Sequence, residues 1–274
     1  MALARRIAPA YTANPKVQAV LLAGSVARGT ADRFSDIEID IFWAEPPSED
    51  ELQAPIERAG ATLLYREADE NEWADSFFIE GIKVDTSQFL VSTIERWLED
   101  VVERADTEVE KQLLIAAIQH SLPLHGAALA DRWCMWAAEY PEALARAMVA
   151  QHLAFRPRTL MEMFAARDDL LILYRCLVEV EQLIVSVLMG LNRLYIAHPY
   201  HKWLDWQIGQ MHVAPPNLGR RLRQILRDEP LAAVQKIHAL IEEVFALVEQ
   251  HLPDLDTSAA RAEFGQPRTI EQIT

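Results

Sequence analysis

The stretch Leu21–Asp40 limits what this chain can fold into more than any other. An apolar run, Val17–Ala23, ends at Gly24-Ser25. After a gap of ten residues Asp36–Trp43 begins, alternating acidic and apolar residues with period two. That alternation predicts a strand with Asp36 and Glu38 on one face and Ile37 and Ile39 turned into a core. The junction at Gly24-Ser25 predicts a turn into a short helix, a local structure suited to anions. Gly24 lets the backbone come close to a phosphate, and the N–H groups that follow point at it. The Ser25 hydroxyl adds a donor. Arg28, three residues on, shares the face of that first helical turn and can pair with a phosphate oxygen.

Holding Asp36 and Glu38 side by side is costly, because two unit charges 4 Å apart repel by ~4 kcal/mol at an effective dielectric of 20. A hard cation is the natural remedy. Mg²⁺ binds a few carboxylate oxygens together with phosphate oxygens, and two such ions clamp the attacking and leaving oxygens of an in-line displacement. A third carboxylate is expected on a neighbouring strand. Asp85, in Ile82-Lys83-Val84-Asp85-Thr86, follows an alternating run of suitable length. It would complete the metal set or take the proton of an attacking hydroxyl. Asp40 shares the Asp36 face but lies ~13 Å along the strand at ~3.3 Å per residue, so it is expected at the rim, outside the metal set.

The pattern changes near residue 100. Before it, Thr62–Glu67, Phe77–Ile79 and Lys83–Val91 read as further strands. Ser48–Gly60 reads as a helix, with Ser48 as N-cap, Glu51 completing a capping box and Gly60 at the end. After it, apolar positions three and four apart predict helices over Thr107–Gln119, Leu129–Glu139, Pro141–Phe155, Asp168–Ala197 and Pro230–His251, punctuated by prolines. The polar tail Pro253–Thr274 is expected to be loosely held. The reading is therefore an α+β domain over residues 1–105 and an α-helical domain over 106–274.

Composition narrows the partners. The formal net charge is −15, which repels a phosphate backbone and makes nucleic acid a poor partner. The same field steers a cationic small molecule inward. Cys134 and Cys176 both fall in apolar helical stretches and read as packing residues, which fits a reducing, cytoplasmic setting. The most apolar stretch, Leu170–Ala197, carries Arg175, Glu179, Glu181 and Arg193, so it is expected to be a buried helix and not a membrane span. The run after Arg5 and Arg6 is too short for a secretion signal.

Gly24-Ser25…Asp36-Ile37-Glu38 with Val84-Asp85 resembles the signature of the polymerase-β nucleotidyltransferase superfamily. The string Gly-Ser-Val-Ala-Arg-Gly…Ser-Asp-Ile-Glu is similar to bacterial antibiotic nucleotidyltransferases of the kanamycin type, which tolerate Glu as the second carboxylate. The resemblance implies a nucleotidyltransferase domain with a mixed β-sheet followed by a C-terminal α-helical bundle. It implies that Ser25 contacts a triphosphate and that Asp36 and Glu38 hold Mg²⁺. It further implies transfer of a nucleoside monophosphate, AMP from ATP, to a hydroxyl of a small, cationic acceptor such as an aminoglycoside or lincosamide. In such enzymes the helical domain offers a carboxylate base and a lysine for the triphosphate. Glu179 or Glu181 is the candidate base here, beside Asp85, and Lys202 the candidate lysine.

Other readings of the helical half stay open. Leu191-Asn192-Arg193 through Lys202-Trp203-Leu204 resembles an uncharacterised bacterial group of fused nucleotidyltransferase–helical proteins. Arg193 and His198 match the Arg-x4-His spacing of HEPN ribonucleases. His198 and His201 read as surface or substrate-edge histidines, and Trp133, Trp136, Trp203 and Trp206 as packing anchors. Two rival functions stand beside small-molecule transfer. One is AMP transfer to a protein side chain, as in toxin–antitoxin nucleotidyltransferases, and the other is a non-catalytic nucleotide-binding module.

Overall fold

A computed structural model describes residues 1–267. In chain order the elements are α1 (Ala2–Thr12), β1 (Val17–Leu22), α2 (Gly24–Arg28), β2 (Ile37–Trp43), α3 (Glu49–Arg58), β3 (Thr62–Asp69), β4 (Glu72–Ile79), β5 (Ile82–Leu90) and α4 (Val91–Leu98). Next come α5 (Val109–Gln119), β6 (Leu122–His125), α6 (Ala127–Ala138), α7 (Glu142–His152), α8 (Arg158–Ala166) and α9 (Leu170–Leu191). The last are α10 (Leu204–Ile208), α11 (Leu218–Ile225), α12 (Pro230–His251) and α13 (Ser258–Phe264). The class is α+β, with a mixed sheet followed by a helical part. None of the described helices is long and apolar enough to cross a membrane.

The six strands form one sheet in the order β3-β4-β5-β2-β1-β6. Only β2 and β5 run parallel, and they do so at the centre. A parallel pair needs a long crossover, here α3 with the β3–β4 hairpin. One face of the sheet carries Ile37, Ile39, Ile41, Trp43 and Val84 into a core with Ile7 and Tyr11 of α1 and Leu52 and Ile56 of α3. On the other face Phe42 meets Trp133 of α6 edge-on at 4.9 Å, while Phe89 lies 5.9 Å from Trp97 of α4. The alternation of β2 is thus satisfied on both sides, by apolar packing below and, from Asp40 onward, by helices above.

The capping box of α3 is formed as expected, with Ser48 and Glu51 exchanging hydrogen bonds. Three sequence expectations need correction. First, α1 was not anticipated, although Leu3, Ala4, Ile7, Ala8 and Tyr11 form a buried helical stripe; Pro9 inside it hides the pattern. Second, Leu122-Pro123-Leu124-His125 is a strand, because an edge strand tolerates a proline. Gly126, at φ +69°, then turns the chain where a Cβ would lie 2.2 Å from the Gln18 carbonyl oxygen. Third, the polar tail contains α13, whose Phe264 is buried against Phe155 and Phe245; residues 268–274 lie outside those described.

The chain divides into two compact units, Met1–Arg104 with Glu110–Glu139, and Ala105–Val109 with the chain from Tyr140 onward. The expected boundary after residue 105 differs because β6 pairs with β1 and Trp133 of α6 packs on Phe42. The segment 110–139 therefore belongs with the sheet. In the second unit α9 packs on α7, α8 and α12. That helix ends at Leu191, well short of Ala197. Asn192 stops it by donating to the Leu188 and Val213 carbonyls and accepting from the His212 and Val213 N–H groups.

Candidate active site

Six of the sequence-predicted residues, Gly24, Ser25, Arg28, Asp36, Glu38 and Asp85, gather around one end of β2. The chain leaves β1 at Ala23, whose N–H donates to the Glu38 carbonyl. Gly24 follows at φ +65°, a conformation that costs an L-residue roughly 1–2 kcal/mol. A Cβ on Gly24 would lie 2.1 Å from Glu38 Oε2. The Glu38 carboxylate therefore rests on bare backbone that only glycine supplies. Arg28, at the last turn of α2, is half-buried. Burial pulls its guanidinium below its ordinary value, and the charge of Glu38 pulls it back. Ser25 is 4% exposed, beneath the turn it begins.

Across the parallel pair, Glu38 stands in register with Asp85. Asp36 precedes β2 by one residue, on the Glu38 face, and its Oδ2 is 3.9 Å from the Lys83 Nζ. Asp85 divides its two oxygens. Oδ1 accepts a 2.6 Å bond from the Ser76 hydroxyl of β4, and Oδ2 accepts a 2.7 Å bond from Lys83. Burial would push the Asp85 carboxyl up, but the hydrogen bonds from Lys83 and Ser76 outweigh it and hold it below the ordinary carboxylate range. Ser76 and Lys83 were not singled out in the sequence. Lys83 was within reach, two residues before Asp85 on the same strand face. Ser76 becomes visible only through the β4–β5 register.

Asp40 corrects an expectation. It is not at a rim but 6% exposed, since the helices on its side close over the face at Phe42. Its Oδ2 has no partner, and burial, then the charge of Glu38, pushes its carboxyl up to about 7. His120, at the end of α5, feels the Arg28 charge; burial and that cation lower its basicity.

Asp36, Glu38 and Asp85 are hard oxygen donors on one face of two neighbouring strands, a donor set that suits Mg²⁺. Among the described residues, however, no three His, Cys, Asp or Glu side chains stand grouped to hold a metal ion as they are. A lysine ammonium stands among the carboxylates instead. Replacing Gly24 by Ala tests the seat of Glu38. The variant should melt only a few degrees lower, as expected for ~1–2 kcal/mol of backbone strain. Any site activity should drop by far more, at least about tenfold, because Glu38 must move. Thermal melting beside a transfer assay separates the two effects.

The second unit holds the remaining candidates. Lys202 Nζ lies 5.7 Å from the Trp203 ring centroid. Glu179 is ion-paired to Arg175 at 2.8 Å and Arg156 at 3.4 Å. It lines a cavity of about 390 Å³ with His152, Gln182, Ser186 and His201. Glu181 has a buried Oε1 without a partner, and burial pushes its carboxyl up to about 7. His201 is not a surface histidine. It is 7% exposed, between the Ser186 hydroxyl and the Gln207 side-chain oxygen, each at 3.2 Å. The Arg193/His198 spacing does not fall on a helix. Arg193 sits at φ +55° beyond the end of α9, and His198 Nδ1 accepts from the Tyr200 N–H.

No family model matches the sequence, and no curated protein matches it. Among solved structures the chain is similar to a nucleotidyltransferase-like protein from Exiguobacterium sibiricum, at 12% identity and a TM-score of 0.42, over 98% of this chain and 82% of that one.

Proposed function

We propose that this protein is a Mg²⁺-dependent nucleotidyltransferase that moves AMP from ATP to a hydroxyl of a small, cationic acceptor. The observation that carries this reading is the meeting of three features at the end of β2. The Gly24 turn lies against the Glu38 carboxylate, Glu38 pairs in register with Asp85, and Asp36 flanks both. Gly24, Ser25 and Arg28 would receive the triphosphate. Asp36, Glu38 and Asp85 would hold one or two Mg²⁺. The chemistry that bound Mg²⁺ supplies is neutralisation of phosphate charge and of the charge that develops on the attacking and leaving oxygens.

In the transfer itself the acceptor oxygen bonds to the α-phosphorus, the bond from that phosphorus to the β-bridging oxygen breaks, and pyrophosphate departs. The chain's part is positioning: Arg28 pairs with phosphate and the Gly24 backbone fixes Glu38. The acceptor proton needs a base. Asp85, held below the ordinary carboxylate range, is a weak one. Glu181 belongs to the second unit, where burial pushes its carboxyl up to about 7. Glu179 is already neutralised by two arginines.

One observation favours a second reading, a non-catalytic nucleotide-binding module: Lys83 already neutralises Asp85 and approaches Asp36. Incubation with labelled ATP, Mg²⁺ and a panel of aminoglycosides, lincosamides and cell lysate distinguishes the readings. Label on a small molecule, with release of pyrophosphate, is the expected result. Label on a protein band would point to a protein acceptor. No pyrophosphate under any condition would leave the binding module.

A further inference from the structure

We propose that Lys83 is an internal counter-ion which metal binding displaces, so that this side chain sets the affinity of the carboxylate site for its cation. The inference rests on reading Asp36, Glu38 and Asp85 as the metal ligands, and it concerns what stands among them in the protein alone.

Three carboxylates on one face repel one another, and Glu38 and Asp85 are direct cross-strand neighbours. Lys83 rises from the same strand face as Asp85, two residues earlier. Its ammonium is 2.7 Å from Asp85 Oδ2 and 3.9 Å from Asp36 Oδ2. It therefore engages Asp85 through the oxygen that Ser76 leaves open, because Oδ1 is committed to the Ser76 hydroxyl. An incoming cation that binds Asp85 must take Oδ2, the atom Lys83 now holds. Ser76 stays behind and keeps the carboxylate in place through the exchange.

Lys83 is also built to leave. Its side chain is 39% exposed, on a flexible stem with a single point charge at the end. The ion pair between β3 and β4 on the opposite face of the sheet shows the contrast. There Arg66 grips Asp75 through two nitrogens, with side chains 11% and 0% exposed, and no cation could replace it without opening the core. One face thus carries a locked pair and the other a pair that can exchange. Displacement keeps the cluster from standing uncompensated before metal arrives, and it weakens metal binding by the cost of releasing the lysine.

The test is binding of Mn²⁺ alone, as a paramagnetic substitute for Mg²⁺, followed by electron spin resonance and by the metal-induced rise in melting temperature. The full-length wild type is compared with Lys83→Met, Lys83→Arg and Asp36→Asn. Lys83→Met should bind Mn²⁺ about tenfold more tightly. It should also melt below the wild type without metal and gain more from metal than the wild type does. Lys83→Arg, whose fork grips a carboxylate harder, should bind Mn²⁺ more weakly than the wild type. That arm decides the matter if the methionine variant does not fold. Equal or weaker binding by Lys83→Met, or tighter binding by Lys83→Arg, overturns the displacement while leaving an Asp36-dependent metal site in place. Mn²⁺ binding that is absent, or that ignores Asp36→Asn, removes the metal site and the inference together.

Discussion

The Asp36→Asn variant is expected to lose about three orders of magnitude in nucleotidyl transfer, ~4 kcal/mol on the barrier, while melting at or slightly above the wild-type temperature. The two halves of this expectation have separate causes. Asp36 precedes β2, its side chain is 31% exposed, and its close charged neighbours are the Lys83 ammonium at 3.9 Å and the Asp85 carboxyl. Asparagine has nearly the same shape, so no cavity opens. Removing one of three clustered carboxylates also relieves repulsion that a single lysine only partly offsets. Folding therefore loses nothing. Transfer loses a full negative charge from the site that must neutralise a triphosphate and the oxygens changing partners, and an amide oxygen is a poor substitute for that work. Steady-state rates beside thermal melts would check both halves. A variant that transfers as fast as its parent would falsify the assignment of Asp36.

Much of this site could be read from sequence because its logic is local. Gly24, Ser25 and Arg28 lie within five residues, and a strand's period of two places Asp36 with Glu38 before any tertiary contact is known. Asp85 needed only a guess that its strand lies beside β2, and the Glu38–Asp85 register bears this out. What escaped depends on neighbours that the local pattern does not name. Asp40 repeats the same period and looks like a rim residue until Trp133, more than ninety residues later, covers the next position on that face. Ser76 is an unremarkable serine until the β4–β5 hairpin sets it opposite Asp85. In the helical part the apolar rhythm of Leu170–Ala197 ran on past the true end of the helix. The stop comes from Asn192, whose side chain is satisfied by residues twenty positions away. The β6 strand hid behind Pro123, read as a helix breaker when an edge strand was the other structure that admits it.

The largest loss of stability in the first unit is expected from Arg66→Met: about 3–5 kcal/mol, or roughly 10 °C in melting temperature for a protein of this size. Arg66 reaches Asp75 through Nε at 2.5 Å and a second nitrogen at 3.3 Å, and it also pairs with Glu49. Asp75 is 1% exposed. Its Oδ2 accepts from Gln88 at 2.9 Å, and the Gln88 oxygen accepts from the Trp43 indole at 3.0 Å. Burial works against the Arg66 charge, yet its bonds to Asp75 and Glu49 hold the guanidinium above its ordinary value. Methionine keeps much of the stem's packing but strands the Asp75 carboxylate in the core with only Gln88 to serve it. That stranded charge, more than the lost attraction, sets the size of the effect. The double variant Arg66→Met with Asp75→Asn should therefore regain more than half of the loss, which urea unfolding of all three proteins would measure. The consequence should also reach the site. Asp75 and Ser76 are successive residues on β4 and face opposite sides, so one anchors the strand below the sheet while the other holds Asp85 above it. Loosening the first should weaken the second, and the Arg66→Met protein, assayed well below its melting point, should still transfer more slowly than the wild type. An unchanged unfolding midpoint would show that the Arg66–Asp75 pair contributes nothing beyond its neighbours.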